Sequence, residues 1–260
     1  MRAAAVRNPT IDRLEAILRR ECPEHEAMLV EEISSDRYAS YRSIYKRAEE
    51  LLERLGLEYE PEPLERKIGI FSIWLKAADD LIDSRRGSGI EILDSIISDR
   101  EAAWHSNEPA YVLTEVLKRQ IEPSDRDEVL HNIGQLYEQN RRVASAANAG
   151  EYIAMRKAEG ELVADTISSL VRRNIAGSTA GFESLFRRIG ALGNLIDSAI
   201  DFKGDSDMAC YRNRLLSRAR LYSETFIEAA NLVAENPWLI RRYGSKALRM
   251  FSQGLGRAQL

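Results

Sequence analysis

The chain has 260 residues, 44% of them hydrophobic and 30% charged, which supplies a substantial core under a soluble surface. A net charge of -4 excludes a global field that would draw the protein to nucleic acid or to an anionic membrane. Cys22 and Cys210 match no CxxC pattern, the stretch Met1–Arg7 lacks the apolar run of a signal peptide, and no segment approaches the ~18 uncharged apolar residues of a membrane span. The expectation is a cytoplasmic protein with free thiols.

Helical periodicity dominates, with almost no alternating strand signal. Ile11–Arg20 reads as a short amphipathic helix ended near Pro23, and Arg37–Leu55 as a longer one closed by Gly56. A loop containing Pro61 and Pro63 then leads into a helix over Leu64–Asp83. Its middle, Ile68-Gly69-Ile70-Phe71-Ser72-Ile73-Trp74-Leu75, is apolar on nearly every side, as in a helix at the centre of a bundle. Further helices are expected at Gly89–Ser106, Ala110–Ile121, Asp125–Asn148, Glu151–Ala176, Gly181–Phe202, Asp205–Glu235 and Trp238–Leu255. Ser124-x-x-Asp127 resembles a capping box, and Gly150, Gly177 and Gly204 stand at expected breaks. No fixed-period repeat or long linker interrupts the chain. The predicted fold is therefore all-α, a single domain over residues 1–260 built as a bundle of roughly ten helices around a central apolar cavity.

Chemistry concentrates in two aspartate clusters. Asp79, Asp80 and Asp83 lie at the C-terminal end of the most apolar helix, where Asp79 and Asp83 share a face at i,i+4 spacing. Carboxylates there repel one another and meet the negative end of the helix dipole, so a stability-driven sequence would place Lys or Arg instead. Bound divalent cations would reverse that cost, because hard ions take carboxylate oxygens. Neutralisation by Arg85 and Arg86 is the plainer alternative. Asp197, Asp201 and Asp205 repeat the pattern at i, i+4, i+8 after the apolar run Ile189–Ile196, provided the helix persists through Gly204.

At this point the sequence resembles the class I isoprenoid synthases, which include chain-elongating prenyl diphosphate synthases, squalene and phytoene synthases, and class I terpene cyclases. Asp79-Asp80-Leu81-Ile82-Asp83 matches the DDxxD motif of that superfamily without a gap. The second cluster resembles three patterns at once. It is similar to the LGxxxQxxDDxxDxxGD region of elongating enzymes with Ser198 at the second Asp, to the DxxxD of squalene and phytoene synthases, and to the cyclase NSE triad with Asp at each ligand position. Tyr152-Ile153-Ala154-Met155-Arg156-Lys157-Ala158-Glu159-Gly160 resembles the YxxxRxxxG stretch of bacterial cyclases, and Arg241-Arg242-Tyr243 the Arg-Tyr pair that closes cyclase sites.

The resemblance implies an all-α bundle and Mg²⁺ as cofactor, three ions with the diphosphate bound. It implies metal ligation by Asp79, Asp80, Asp83, Asp197, Asp201 and Asp205, with Asp205 a ligand only in the NSE reading. It also implies that Arg156, Lys157, Lys203, Arg242 and Tyr243 contact the diphosphate, and that Asp79, Asp83 and Arg156 carry the ionisation step. Phe71, Trp74, Tyr152 and Phe186 are candidate walls of the cation pocket, although residues of this kind are more often ordinary core, because apolar burial alone explains each.

The reaction expected is Mg²⁺-assisted ionisation of a prenyl diphosphate, followed by conversion of the allylic cation to a terpene, with a cyclic product. Chain elongation would need a second diphosphate site, and no GGKRxRP-like segment precedes Asp79. Condensation of two prenyl diphosphates by a squalene- or phytoene-synthase-like enzyme is the alternative enzyme. A non-catalytic helical homologue acting as a partner protein is the alternative of another class. The expected partner is the prenyl diphosphate substrate, with no nucleic acid and no integral membrane segment; the sequence leaves room for a homodimer.

Overall fold

The computed structural model describes residues 15–16, 18–20, 23, 26–34, 38, 41, 44–85, 88–98, 108–201 and 214–240. Among these residues the regular structure is helical and none lies in a strand; a single antiparallel bridge joins Tyr59 to Ile175. The helices are α1 (Glu26–Ser34), α2 (Ile44–Arg54), α3 (Pro61–Ser84), α4 (Gly89–Ile97), α5 (Pro109–Gln120), α6 (Arg126–Ala144), α7 (Ala149–Val171), α8 (Ala180–Asp201) and α9 (Arg214–Glu235). None of the described helices is long and apolar enough to cross a membrane. The all-α expectation holds.

The chain groups into two units, each discontinuous in sequence: residues 1–134 with 166–182, and residues 135–165 with 183–260. The divisions fall within α6, α7 and α8.

In the first unit α3 packs against α2, α4 and α5. The helix starts at Pro61, earlier than the predicted Leu64. Proline has no amide hydrogen to lose in a first turn, so Pro61 and Pro63 sit inside the helix rather than in a loop before it. Extended backbone at Glu60 provides the entry. Every residue from Lys67 to Trp74 is buried, which bears out the reading of this segment as a core helix. Full burial of each large apolar side chain here contributes about 1.5–3 kcal/mol. The Trp74 indole N–H donates to Thr114 Oγ1 at 2.7 Å, and the Phe71 ring stacks on Trp74 with centroids 5.5 Å apart.

Gly89 opens α4 where a Cβ would lie 2.6 Å from the Ile82 Cα, so the first turn of α4 packs directly on the backbone of α3. Beyond α7 a short 3₁₀ turn, Arg172–Asn174, leads to the Tyr59–Ile175 bridge. Two backbone bonds flank it: Glu60 N–H to Asn174 O at 2.9 Å and Ala176 N–H to Glu58 O at 2.8 Å. The buried Lys67 ammonium donates to Asn174 Oδ1 at 3.0 Å, tying α3 to the same strap.

The second unit is built on Val143, Ala146, Tyr152, Ile153, Leu195, Ala199 and Leu221, which form one buried cluster. α6 ends at Ala144 rather than at the predicted Asn148, because Asn148 starts the next helix. Its Oδ1 accepts from the Glu151 amide at 3.0 Å, while Glu151 Oε2 accepts from the Ala147 amide at 2.8 Å. This reciprocal cap places Gly150 inside the first turn of α7, not at a break. Gly177, with φ +82°, does mark a break. Cys22, Cys210 and the greater part of the predicted Trp238–Leu255 helix lie outside the described residues.

Candidate active site

In the first unit the last turns of α3 border a cavity of about 390 Å³, lined by Asp80, Asp83, Ser84, Glu108, Tyr38 and apolar residues including Ala77 and Leu81. Ala77, Asp80, Leu81 and Ser84 follow i, i+3, i+4, i+7 spacing and so share one helix face. The carboxylates of the first motif that line this cavity are Asp80, on that face, and Asp83, at its edge. Asp79, expected to pair with Asp83, lies off that face, and its carboxylate is 3.6 Å from the Lys76 ammonium. Lys76 also donates to Asp80 Oδ1. Arg85, a predicted neutraliser of the cluster, instead donates to Glu108 Oε1 at 2.9 Å. Arg86 lies outside the described residues.

Glu108 is the lining residue that sequence reasoning missed. It precedes Pro109 at the start of α5 in extended conformation, and only the packing of α5 on α3 brings it to the cavity. Lys76 was legible, since it stands three and four residues before Asp79 and Asp80 on the same helix.

No three of the described Asp, Glu, His or Cys side chains gather closely enough to hold an ion by themselves. Mg²⁺ does not require such a cage, because it keeps several waters and takes one or two carboxylates together with substrate phosphate oxygens. The hard oxygens of Asp80 and Asp83 beside an open cavity fit that donor chemistry.

In the second unit Arg156 of α7 reaches α8. Its Nε donates to Ser198 Oγ at 2.8 Å, its Nη1 donates to Glu159, and its Nη2 donates to Asp197 Oδ2 at 3.4 Å. Arg156 is mostly buried and Asp197 exposed. Ser198, which stands where elongating enzymes carry a second Asp, passes the contact on by donating to the Asn194 carbonyl at 2.8 Å. The buried Glu159 also accepts from Asn140 Nδ2 at 3.4 Å. A guanidinium with all three edges engaged is fixed in place before any ligand arrives. Lys157 points elsewhere and is ion-paired with Glu228 of α9.

The four candidate pocket aromatics, Phe71, Trp74, Tyr152 and Phe186, are all buried, and none lines the cavity beside Asp80. Tyr152 belongs to the apolar cluster of the second unit. Asp201 is the last residue of α8, whereas Lys203, Asp205, Arg242 and Tyr243 lie outside the described residues. No protein-family profile, curated protein or solved structure matches the chain.

Proposed function

We propose that the protein is a Mg²⁺-dependent class I terpene synthase, which ionises one prenyl diphosphate and converts the allylic cation to a terpene. The observation that carries this reading is the contact between Arg156 and Asp197. The resemblance assigned these residues separate roles, one as diphosphate sensor and one as metal-motif carboxylate, from stretches 41 residues apart; the fold joins them at 3.4 Å. The carboxylates of the DDxxD stretch beside a cavity large enough for phosphate groups support it further.

In this reading Mg²⁺ held by the aspartates supplies positive charge to the departing diphosphate. Arg156 is the chain's own contribution. Glu159 and Ser198 hold its guanidinium in one orientation, so its charge can stabilise the leaving group without reorganising. The exposed edge of that arrangement, at Asp197, is the part a substrate oxygen can reach. The lack of a GGKRxRP-like segment favours one diphosphate over two.

The test is incubation of the full chain with Mg²⁺ and geranyl, farnesyl or geranylgeranyl diphosphate. Released inorganic diphosphate is assayed, and products are identified by mass spectrometry. A hydrocarbon or alcohol from a single substrate is expected. A carbon–carbon coupled product would assign the chain to the condensing enzymes. No release from any of the three by folded protein would leave the non-catalytic partner reading.

A further inference from the structure

We propose that Lys76 is the resident counter-ion of the aspartate motif: in the absence of a divalent cation its ammonium occupies the carboxylates of Asp79 and Asp80, and it competes with that cation for them. The inference rests on the metal reading above and adds to it the residue that sets the affinity of the site.

Three observations carry it. Lys76 is ion-paired with Asp80 and lies 3.6 Å from Asp79, so one ammonium serves two members of the motif. The Lys76 side chain is 13% exposed, against 49% for Asp79 and 25% for Asp80, so the cation is the inner partner, with Asp79 half-exposed and one oxygen of Asp80, Oδ2, buried. The last turn of α3 contains no basic residue, and Arg85 immediately after it is engaged with Glu108. Lys76 is thus a cation of α3 within reach of both Asp79 and Asp80.

Helix energetics alone give little reason for this arrangement. A lysine N-terminal to its acidic partners is the poorer order along a helix, because it leaves the carboxylates toward the negative end of the dipole. The pairing does suit a site that must hold its acids apart from water-borne counter-ions yet release them. A divalent ion taken up by Asp80, the carboxylate that Lys76 shares with the cavity, meets the ammonium as a like charge, and Lys76 must withdraw along its flexible four-carbon stem. Lys76 is thus a positioning residue whose charge is subtracted from every metal-binding event.

The experiment titrates the EDTA-stripped full chain with Mn²⁺ alone and follows free Mn²⁺ by electron paramagnetic resonance, for wild type, Lys76→Met and Lys76→Arg. Removing the charge should tighten Mn²⁺ binding about tenfold, the size of the repulsion between a monovalent and a divalent cation about 6 Å apart in near-aqueous surroundings. Lys76→Arg should stay near wild type. In parallel, Lys76→Met should melt below wild type in EDTA and recover more of that loss in saturating Mg²⁺. A purely structural Lys76 would lower the melting temperature equally with and without metal and leave Mn²⁺ affinity unchanged, which overturns the proposal while the metal reading stands. If neither protein binds Mn²⁺ at millimolar concentration, both fail. Should Lys76→Met not fold by circular dichroism, Lys76→Gln carries the same expectations.

Discussion

Gly160 of α7 and Gly190 of α8 meet backbone against backbone. A Cβ built on Gly160 would lie 2.2 Å from the Gly190 carbonyl oxygen, and one on Gly190 would lie 2.3 Å from the Gly160 carbonyl oxygen. The obstructing atoms are main chain, so no rotamer change relieves the clash. Gly160→Ala should therefore destabilise the protein by about 3 kcal/mol or more, beyond the usual range for core overpacking, as read from urea unfolding. Because Gly160 stands four residues after Arg156, forced separation of the helices should also lengthen the Arg156–Asp197 contact. Gly193→Ala is the control, since a Cβ there meets nothing within 4 Å and alanine is the better helix former.

Arg156→Gln should lower diphosphate release on the order of 10²- to 10³-fold, the scale set by removing one preorganised donor from a developing negative charge. It should also cost about 3 kcal/mol, because the buried Glu159 loses its cationic partner. Ser198→Ala removes the Nε contact and leaves Glu159 paired, so activity should fall less than in Arg156→Gln with little loss of stability. Equal activity in Arg156→Gln and wild type would contradict the role given to the guanidinium.

Trp74→Phe should be destabilising by about 2–3 kcal/mol in denaturant unfolding. The substitution leaves a void in a fully buried position and strips Thr114 Oγ1 of the indole donor. Thr114 still donates to the Ala110 carbonyl at 2.7 Å, so α5 itself should survive by circular dichroism.

Acid sensitivity should appear at the start of α6. The Arg173 guanidinium donates to both oxygens of Asp125, at 2.6 and 2.9 Å, and those hydrogen bonds hold its carboxyl below the usual carboxylate range. A depressed folded pKa contributes stability above the unfolded value, near 3.9, and that contribution disappears as pH falls through the lower folded value. The difference in melting temperature between wild type and Asp125→Asn should be steady from about pH 7 to about pH 5 and close below about pH 4. The effect will be small because the pair faces solvent. A gap unchanged to low pH would show that the charge is irrelevant. Asparagine retains the capping ability of the position, which isolates the charge.

Helix identity was legible wherever apolar residues ran on a helical period, and α3 is the clearest case. Its start was misread because prolines are ambiguous in sequence: they break a helix interior but suit a first turn. The end of α6 was misread because Asn148 continues a helical composition, and its role as a cap depends on where Glu151 turns back. At the candidate site, Arg156 and Asp197 were each visible as motif residues, yet their contact depends on how α7 crosses α8. Glu108 gave no signal at all, since a lone glutamate before a proline is common. The choice of Asp80 over Asp79 as cavity-lining residue is a matter of 100° of helix rotation, which the DDxxD spacing leaves open.

The strap at Tyr59–Ile175 bears on the order in which the protein is made. The Glu60 amide and the Glu58 carbonyl find their backbone partners in Asn174 and Ala176, beside the Tyr59–Ile175 bridge, so this strap before α3 closes only after more than half of the chain has left the ribosome. The second unit's residues 135–165 are synthesised within that interval. A nascent chain cut off after Gly134 would carry the whole DDxxD helix with its apolar surface already made but its closing segment missing. Such a fragment keeps the packing of α3 on α2, α4 and α5 but lacks the strap at Asn174–Ala176, and incompletely closed intermediates of this kind are the ones that chaperones attend.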